Sequence, residues 1–188
     1  VPAATSAWHL RQAARTVRVG GIVAYPTEAV FGLGCDPLNG AAVQRILRGK
    51  RRAAAKGLIL IAAELQQLQG FVGDFPEHSR ERILDSWPGP VTWILPAAAA
   101  VPQWLTGGRP TLAVRVTAHP VASALCHACG TPLVSTSANF GGRPPARTPI
   151  QVRLRLAGLY DLLVPGHTGP QRRPSTLVDA SSGRILRP

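Results

Sequence analysis

The chain has no methionine, three cysteines and only nine acidic residues among 188. Each shortage excludes something. Three cysteines cannot build the disulfide framework of a small secreted domain, and a chain of this length buries roughly 70% of its unfolded surface without one. The thiols fit a reducing compartment. No run approaches the roughly 18 apolar residues that a membrane span requires. Val1 to Thr5 lacks the basic region and apolar stretch of a secretory leader, so a cytoplasmic location is expected. The missing initiator methionine suggests a processed or trimmed start. No internal repeat or long linker interrupts the chain, and a single domain over 1–188 is expected.

The familiar chemical signatures are missing too. Neither Gly-x-x-x-x-Gly-Lys-Ser/Thr nor Gly-x-Gly-x-x-Gly occurs, and there is no nucleophile elbow. The histidines, at 9, 78, 119, 127 and 167, are too scattered for a zinc site. Cys126 and Cys129 form one C-x-x-C with no second pair. In a helix expected from His119 to Gly130, that spacing puts both thiols on one face, which reads as packing rather than metal binding or redox chemistry.

What is abundant is positive charge. The net charge is +12 and the sequence pI about 11.4. From Ser86 to Tyr160 there is no acidic residue, yet Arg109, Arg115, Arg143, Arg147, Arg153 and Arg155 fall there. A merely solvated surface mixes both signs, so an anionic ligand or partner is expected. Nineteen of the basic residues are Arg and two are Lys. So strong a bias makes many of the arginines incidental and singles out Lys50 and Lys56. An ammonium is a compact point charge, whereas a guanidinium is a planar fork.

Helical and strand patterns alternate. Ser6 can cap a helix whose Trp8, Leu10, Ala14 and Val17 share a face and which ends near Gly20–Gly21. Strands are expected over Ile22–Tyr25, Leu58–Ala62, Val91–Leu95, Leu112–Val116 and Leu133–Val134. Helices are expected over Ala41–Leu47, Glu64–Phe71, Glu77–Ser86 and Ile150–Leu156. A closing hairpin joins Thr176–Val178 to Ile185–Leu186 through Ser181-Ser182-Gly183. Strands alternating with helices predict an α/β fold, and the hairpin makes the twisted sheet mixed.

Four polar segments follow apolar elements, where ligands of open α/β sheets bind. In Tyr25-Pro26-Thr27-Glu28, a hydroxyl and a carboxylate could grip the amine or hydroxyl of a small ligand, or Thr27 could simply cap a helix. Lys50-Arg51-Arg52 with Lys56 puts four cations in seven residues. That suits a triphosphate, an RNA backbone or a solvated loop. Ser135-Thr136-Ser137-Ala138-Asn139 can donate to phosphate or carboxylate oxygens, or be a hydroxyl-rich turn. Ser175, Thr176 and Arg187 gather near the C-terminus, where Arg187 could clamp a phosphate or fray. The residues alone reach an anion-binding α/β domain and no further.

The segments AYPTEAVFGLGCDP, KRRAAAKGLILIAA, WPGPVT, LAVRVTAHP, PLVSTSAN, PSTLVD and RILRP run in that order from Ile22 to Pro188. In these the chain resembles the YrdC family of threonylcarbamoyl-AMP synthases, in its short bacterial TsaC form. The resemblance implies the YrdC-like fold around a wide basic cleft. It implies an enzyme that joins L-threonine, bicarbonate and ATP into threonylcarbamoyl-AMP, releasing pyrophosphate, with Mg²⁺ accompanying the nucleotide. The product would pass to the tRNA threonylcarbamoyl-transfer complex that modifies the adenosine beside the anticodon. Direct binding of tRNA or double-stranded RNA is a further expectation. Carried over residue by residue, the family's K-x-R and S-x-N signatures fall on Lys50, Arg52, Ser137 and Asn139, as catalytic residues. Lys56, Thr111, Arg115 and Arg187 become nucleotide contacts, with Ser137 beside them. Thr27, Ser135 and Ser175 become threonine contacts, and no residue is assigned to a metal. Ala53 stands where many family members have proline. The rival expectations are an RNA-binding module without chemistry and a carbamoyl-transferring relative like the module in hydrogenase-maturation proteins.

Overall fold

The computed structural model describes residues 5–171 and 173–188. Of the segment Val1–Thr5 read above for a secretory leader, Val1 to Ala4 lie outside them. Among the described residues nine strands form a mixed sheet in the order β7-β1-β2-β6-β3-β5-β4-β8-β9. They are β1 Val23–Pro26, β2 Phe31–Gly34, β3 Ile59–Ala62, β4 Val91–Pro96, β5 Thr111–Val116, β6 Leu133–Ser137, β7 Leu162–Leu163, β8 Thr176–Asp179 and β9 Ile185–Arg187. Parallel pairs join β1 to β7, β3 to β5 and β4 to β8; the other neighbours are antiparallel. The expected mixed α/β architecture is what is found.

Among the described residues six helices flank the sheet: α1 Ala7–Arg18, α2 Gly40–Lys50, α3 Glu77–Asp85, α4 Gln103–Thr106, α5 Pro120–Cys129 and α6 Pro149–Arg155. Their starts are written locally. Ser6, Asn39, His119 and Thr148 cap α1, α2, α5 and α6, each side chain accepting a backbone N–H that the helix leaves free. Proline follows the cap in α5 and α6, where its missing N–H costs nothing.

Alternation along the strands divides the interior in two. Ala24, Phe31, Leu33, Leu60, Leu112, Val114 and Val134 face one way and pack against α2, α3, α4 and α6 through Ile46, Ile83, Leu105 and Val152. Val23, Tyr25, Ile61 and Leu133 face the other way, under α1 and α5, against Ala13, Val17, Leu125 and Cys126. Each large side chain so buried contributes roughly 2 kcal/mol. No described helix is long and apolar enough to cross a membrane.

Several expectations shift. Trp8 is 57% exposed, and of the expected face of α1 only Ala14 and Val17 are fully buried, with Ala13 beside them. The patterns over Glu64–Phe71 shrink to a 3-10 turn, Leu65–Leu68. Two strands were not foreseen. In β2 the alternate residues are Gly32 and Gly34, so one face has no side chain to announce it. A Cβ on Gly34 would lie 2.5 Å from the Val134 carbonyl and 2.8 Å from the Tyr25 ring, so glycine is what lets β1, β2 and β6 close over Tyr25. β7, two residues long, is too short for any period to show.

Candidate functional site

α1 and α5 cover only part of the second face of the sheet. The uncovered part is a cavity of about 290 Å³ lined by Thr27, Glu28, Arg52, Arg115, Ser135, Ser137, Ser175 and Arg187, with Gly32, Ile59, Gln171 and Pro174. Register brings its floor together: Gly32 pairs with Ser137 and Ile59 with Ser135, while Arg115 lies on β5 beside the buried Ile61. The hydroxyls placed beyond a short strand in fact extend it, since β6 runs on to Ser137. Ser135 and Ser137 therefore stand two residues apart on one face, while Val134 points into the core.

Three guanidiniums converge here. Arg52 follows the helix break at Arg51, whose left-handed φ of 51° ends α2. It donates to the Gly57 carbonyl at 2.9 Å. Arg187 donates through Nε and Nη2 to the Ser175 carbonyl at 3.1 and 2.8 Å. Burial lowers the pKa of Arg187, and Arg115 and Arg52 lower it further by repulsion. Burial alone lowers that of Arg52. The counter-charge is Glu28, whose Oε2 lies 3.1 Å from Arg115 Nη2. Cations gathered this way, with spare N–H groups and adjacent hydroxyls, suit an anion bearing several oxygens.

Lys50 takes a different place from the one its charge suggests. It is 4% exposed and does not line the cavity. Its ammonium donates to the Ser137 carbonyl, the Asn139 carbonyl at 2.6 Å and Asn139 Oδ1 at 3.1 Å. Burial, then Arg52, pushes its pKa down to about 8; three oxygens around three N–H donors hold the proton. Asn139 completes the clamp. Its Oδ1 accepts from Ser137 Oγ at 2.6 Å, and its Nδ2 donates to the Phe140 and Arg143 carbonyls at 3.0 and 2.6 Å. Lys50 and Asn139 thus shape the turn after β6 that presents Ser137.

The remaining candidates divide. Thr27, Ser135 and Ser175 line the cavity with Arg52, Arg115, Ser137 and Arg187. Thr27 Oγ1 donates to the Val30 carbonyl at 2.7 Å, bracing the β1–β2 turn rather than capping a helix. Ser175 Oγ is 2.7 Å from Thr92 Oγ1. Lys56 is exposed on the short turn Ala54–Lys56, outside the cavity lining. Thr111 shares the face of Arg115 but lies about 13 Å along β5 from it. Cys126 is fully buried and Cys129 partly so; burial raises both thiol pKa values, that of Cys129 to about 11.

Sequence reasoning missed the strap that walls one side. After β7, Gly169 N–H donates to the Thr27 carbonyl at 2.9 Å and Gln171 N–H to the Glu28 carbonyl at 3.2 Å. A Cβ on Gly169 would lie 2.6 Å from the Glu28 carbonyl, so glycine permits this approach. Arg147 ties the strap down through the Gln171 carbonyl at 2.7 Å. Bonds between backbones leave no side-chain pattern; the glycine was the only available sign.

Comparison with known proteins identifies the family. The family model for Sua5, YciO and YrdC proteins, described as "Telomere recombination", matches residues 15–188. The threonylcarbamoyl-AMP synthase of Nitrosococcus oceani is 53% identical over 96% of this chain and 97% of its own. That of Halorhodospira halophila is 54% identical over 99% and 97%. The crystal structure of P. abyssi Sua5 complexed with L-threonine superposes with a TM-score of 0.90 at 36% identity, covering 96% of this chain. This chain spans about half of that longer protein, 54%. E. coli YciO superposes with a TM-score of 0.87 at 28% identity, over 99% of this chain and 91% of its own.

Proposed function

We infer that this chain, which belongs to the Sua5, YciO and YrdC family, is a threonylcarbamoyl-AMP synthase acting in the cytoplasm. It joins L-threonine, bicarbonate and ATP into threonylcarbamoyl-AMP and pyrophosphate. The observation that carries this reading is the cavity itself. Arg52, Arg115 and Arg187 meet the hydroxyls of Thr27, Ser135, Ser137 and Ser175 around one space, and relatives near 54% identity over almost their whole length bear that enzyme's name.

The chemistry fits the inventory. The free amine of threonine adds to bicarbonate, with loss of water, to give a carbamate. A carbamate oxygen attacks the α-phosphorus of ATP, the bond to the β-phosphate oxygen breaks, and pyrophosphate leaves. Negative charge spreads over phosphate oxygens throughout, so the protein's work is positioning and electrostatic stabilisation. Arg52, Arg115 and Arg187 hold phosphate and carbamate oxygens. Ser137, set by Lys50 and Asn139, turns its one O–H from Asn139 Oδ1 to the reacting phosphate. Lys56, a flexible ammonium beside Gly57, reaches the triphosphate from the rim, and Thr111 serves the nucleotide's outer end. Thr27, Ser135 and Ser175 hold threonine. The methyl group that separates threonine from serine supplies a discrimination of roughly 1–3 kcal/mol.

Among the described residues no group of three or more His, Cys, Asp or Glu side chains converges as a metal site, and Glu28 is already engaged by its neighbours. Magnesium therefore enters on the phosphates of ATP, as part of the substrate. The product passes to the tRNA threonylcarbamoyl-transfer complex. The exposed Arg48, Arg51, Arg143, Arg153 and Arg155 favour direct docking of tRNA. The test is pyrophosphate release from ATP, Mg²⁺ and bicarbonate with and without L-threonine. Release that depends on threonine supports the reading; release indifferent to threonine sinks it.

A further inference from the structure

The Glu28 carboxylate is the cavity's one acidic group, and its surroundings are unusually complete on one side and bare on the other. Oε1 accepts from Thr117 Oγ1 at 2.6 Å and from the Ala118 N–H at 3.2 Å. Oε2 meets Arg115 Nη2 at 3.1 Å, an ion pair without hydrogen-bond alignment, and has no other partner among the described residues. Both side chains are nearly closed off, 9% and 8% exposed. Oε2 itself is sealed from solvent, so no ligand in the cavity can reach it. The backbone is pinned as well, since the Glu28 carbonyl accepts from the strap at Gln171.

A sealed carboxylate does not bind substrate. What it can do is hold its neighbour. Arg115 stands on β5 with its Nε buried and unpartnered among the described residues, so no hydrogen bond fixes that end of the guanidinium. A long side chain with one end free occupies many rotamers unless a charge selects one. We propose that Glu28 is a positioning residue: braced by Thr117 and the Ala118 N–H, it locks Arg115 in the one orientation that meets the anionic ligand of the cavity. The β1–β2 turn, the end of β5 and the entry to α5 are thereby coupled through one ion pair. The statement about turnover rests on the enzymatic reading above; the statement about anion binding does not.

The pair has a second, opposite effect. A carboxylate beside a guanidinium cancels part of its field, so Glu28 weakens the cavity's hold on anions while sharpening its geometry. Removing it should therefore separate two quantities that an ordinary structural defect would lower together. In Glu28→Gln the shape is kept and the charge lost. Arg115 gains field and loses its lock. A misplacement of about 1 Å at a reacting centre costs about 100-fold in rate.

The experiment has two arms. The first measures kcat and KM for threonine and ATP; the second measures binding of inorganic pyrophosphate by calorimetry and by its protection against thermal unfolding. Glu28→Gln is expected to lower kcat about 100-fold while binding pyrophosphate up to about ten-fold more tightly. Thr117→Val, which keeps the charge and removes one brace, should lower kcat about ten-fold with pyrophosphate affinity unchanged. The proposal is overturned if Glu28→Gln keeps kcat within three-fold of the parent. It is overturned equally if Glu28→Gln weakens pyrophosphate binding, because that marks a collapsed cavity and a merely structural role. If the parent protein shows no threonine-dependent turnover, the enzymatic reading fails, and pyrophosphate affinity still decides whether Glu28 restrains the charge of Arg115.

Discussion

Replacing Lys50 by methionine keeps most of the side chain's volume and removes its charge. Three oxygens then face an apolar tip: the Ser137 and Asn139 carbonyls and Asn139 Oδ1. Bonds from a charged donor are worth roughly 2 kcal/mol each, and their loss leaves buried acceptors unpaired. Against this, the fall in pKa from 10.5 to about 8 means that the site charges about 3 kcal/mol for the ammonium, which the variant no longer bears. The balance is a net loss of about 3 kcal/mol in unfolding free energy, read from urea titration. Ser137 loses its support as well, so kcat/KM should fall about 100-fold. The parent enzyme carries the matching pH signature. Its folded pKa lies below the unfolded value, so between about pH 8 and 10.5 the unfolded chain holds the proton and the folded one does not. In that window this group makes the fold more stable as pH rises, while activity falls through about pH 8 as the clamp loses its third donor. Activity that stays flat from pH 7 to 9.5, or a Lys50→Met variant within three-fold of the parent, would refute the reasoning.

Other expectations are more local. Gly34→Ala drives a methyl into the Val134 carbonyl and the Tyr25 ring, and should cost about 2–3 kcal/mol, seen as a lower melting temperature. Asp161 accepts from Arg45 and from the Ile22 N–H at 2.7 Å, and the Arg45 bond holds its pKa below the ordinary 3.8. Its contribution is present above that value and disappears as pH falls through the folded one. Because the pair is 48% and 40% exposed, Asp161→Asn should cost only about 1 kcal/mol at pH 7 and nothing once the carboxyl is protonated. Arg187→Ala should raise the KM for ATP at least ten-fold and weaken pyrophosphate binding, measured by calorimetry, since it removes one of three converging guanidiniums.

The parts of the fold that were legible in sequence are those with a local cause. Ser6 announces a helix because its side chain caps the very next turn, and the apolar runs at Leu58 and Leu112 read as buried strands. β2 stayed hidden because Gly32 and Gly34 leave half of its alternation blank. The candidate site was legible as chemistry but not as geometry. Lys50 and Arg52 read alike as cations on one loop, yet the helix break at Arg51 sends one to clamp the Ser137–Asn139 turn and the other into the cavity. Glu28 read as a grip for a ligand's amine, and its carboxylate is instead consumed by Thr117, Ala118 and Arg115. Those partners lie about 90 residues away, a separation that no local pattern can encode.

The central claim is that this basic cavity joins threonine, bicarbonate and ATP in one product. It is tested most directly by supplying carbon-13 bicarbonate with ATP, Mg²⁺ and L-threonine and weighing the adenylate formed. The account predicts threonylcarbamoyl-AMP carrying one labelled carbon, in equal amount to the pyrophosphate released. An adenylate without the label, or pyrophosphate without any adenylate, would contradict it.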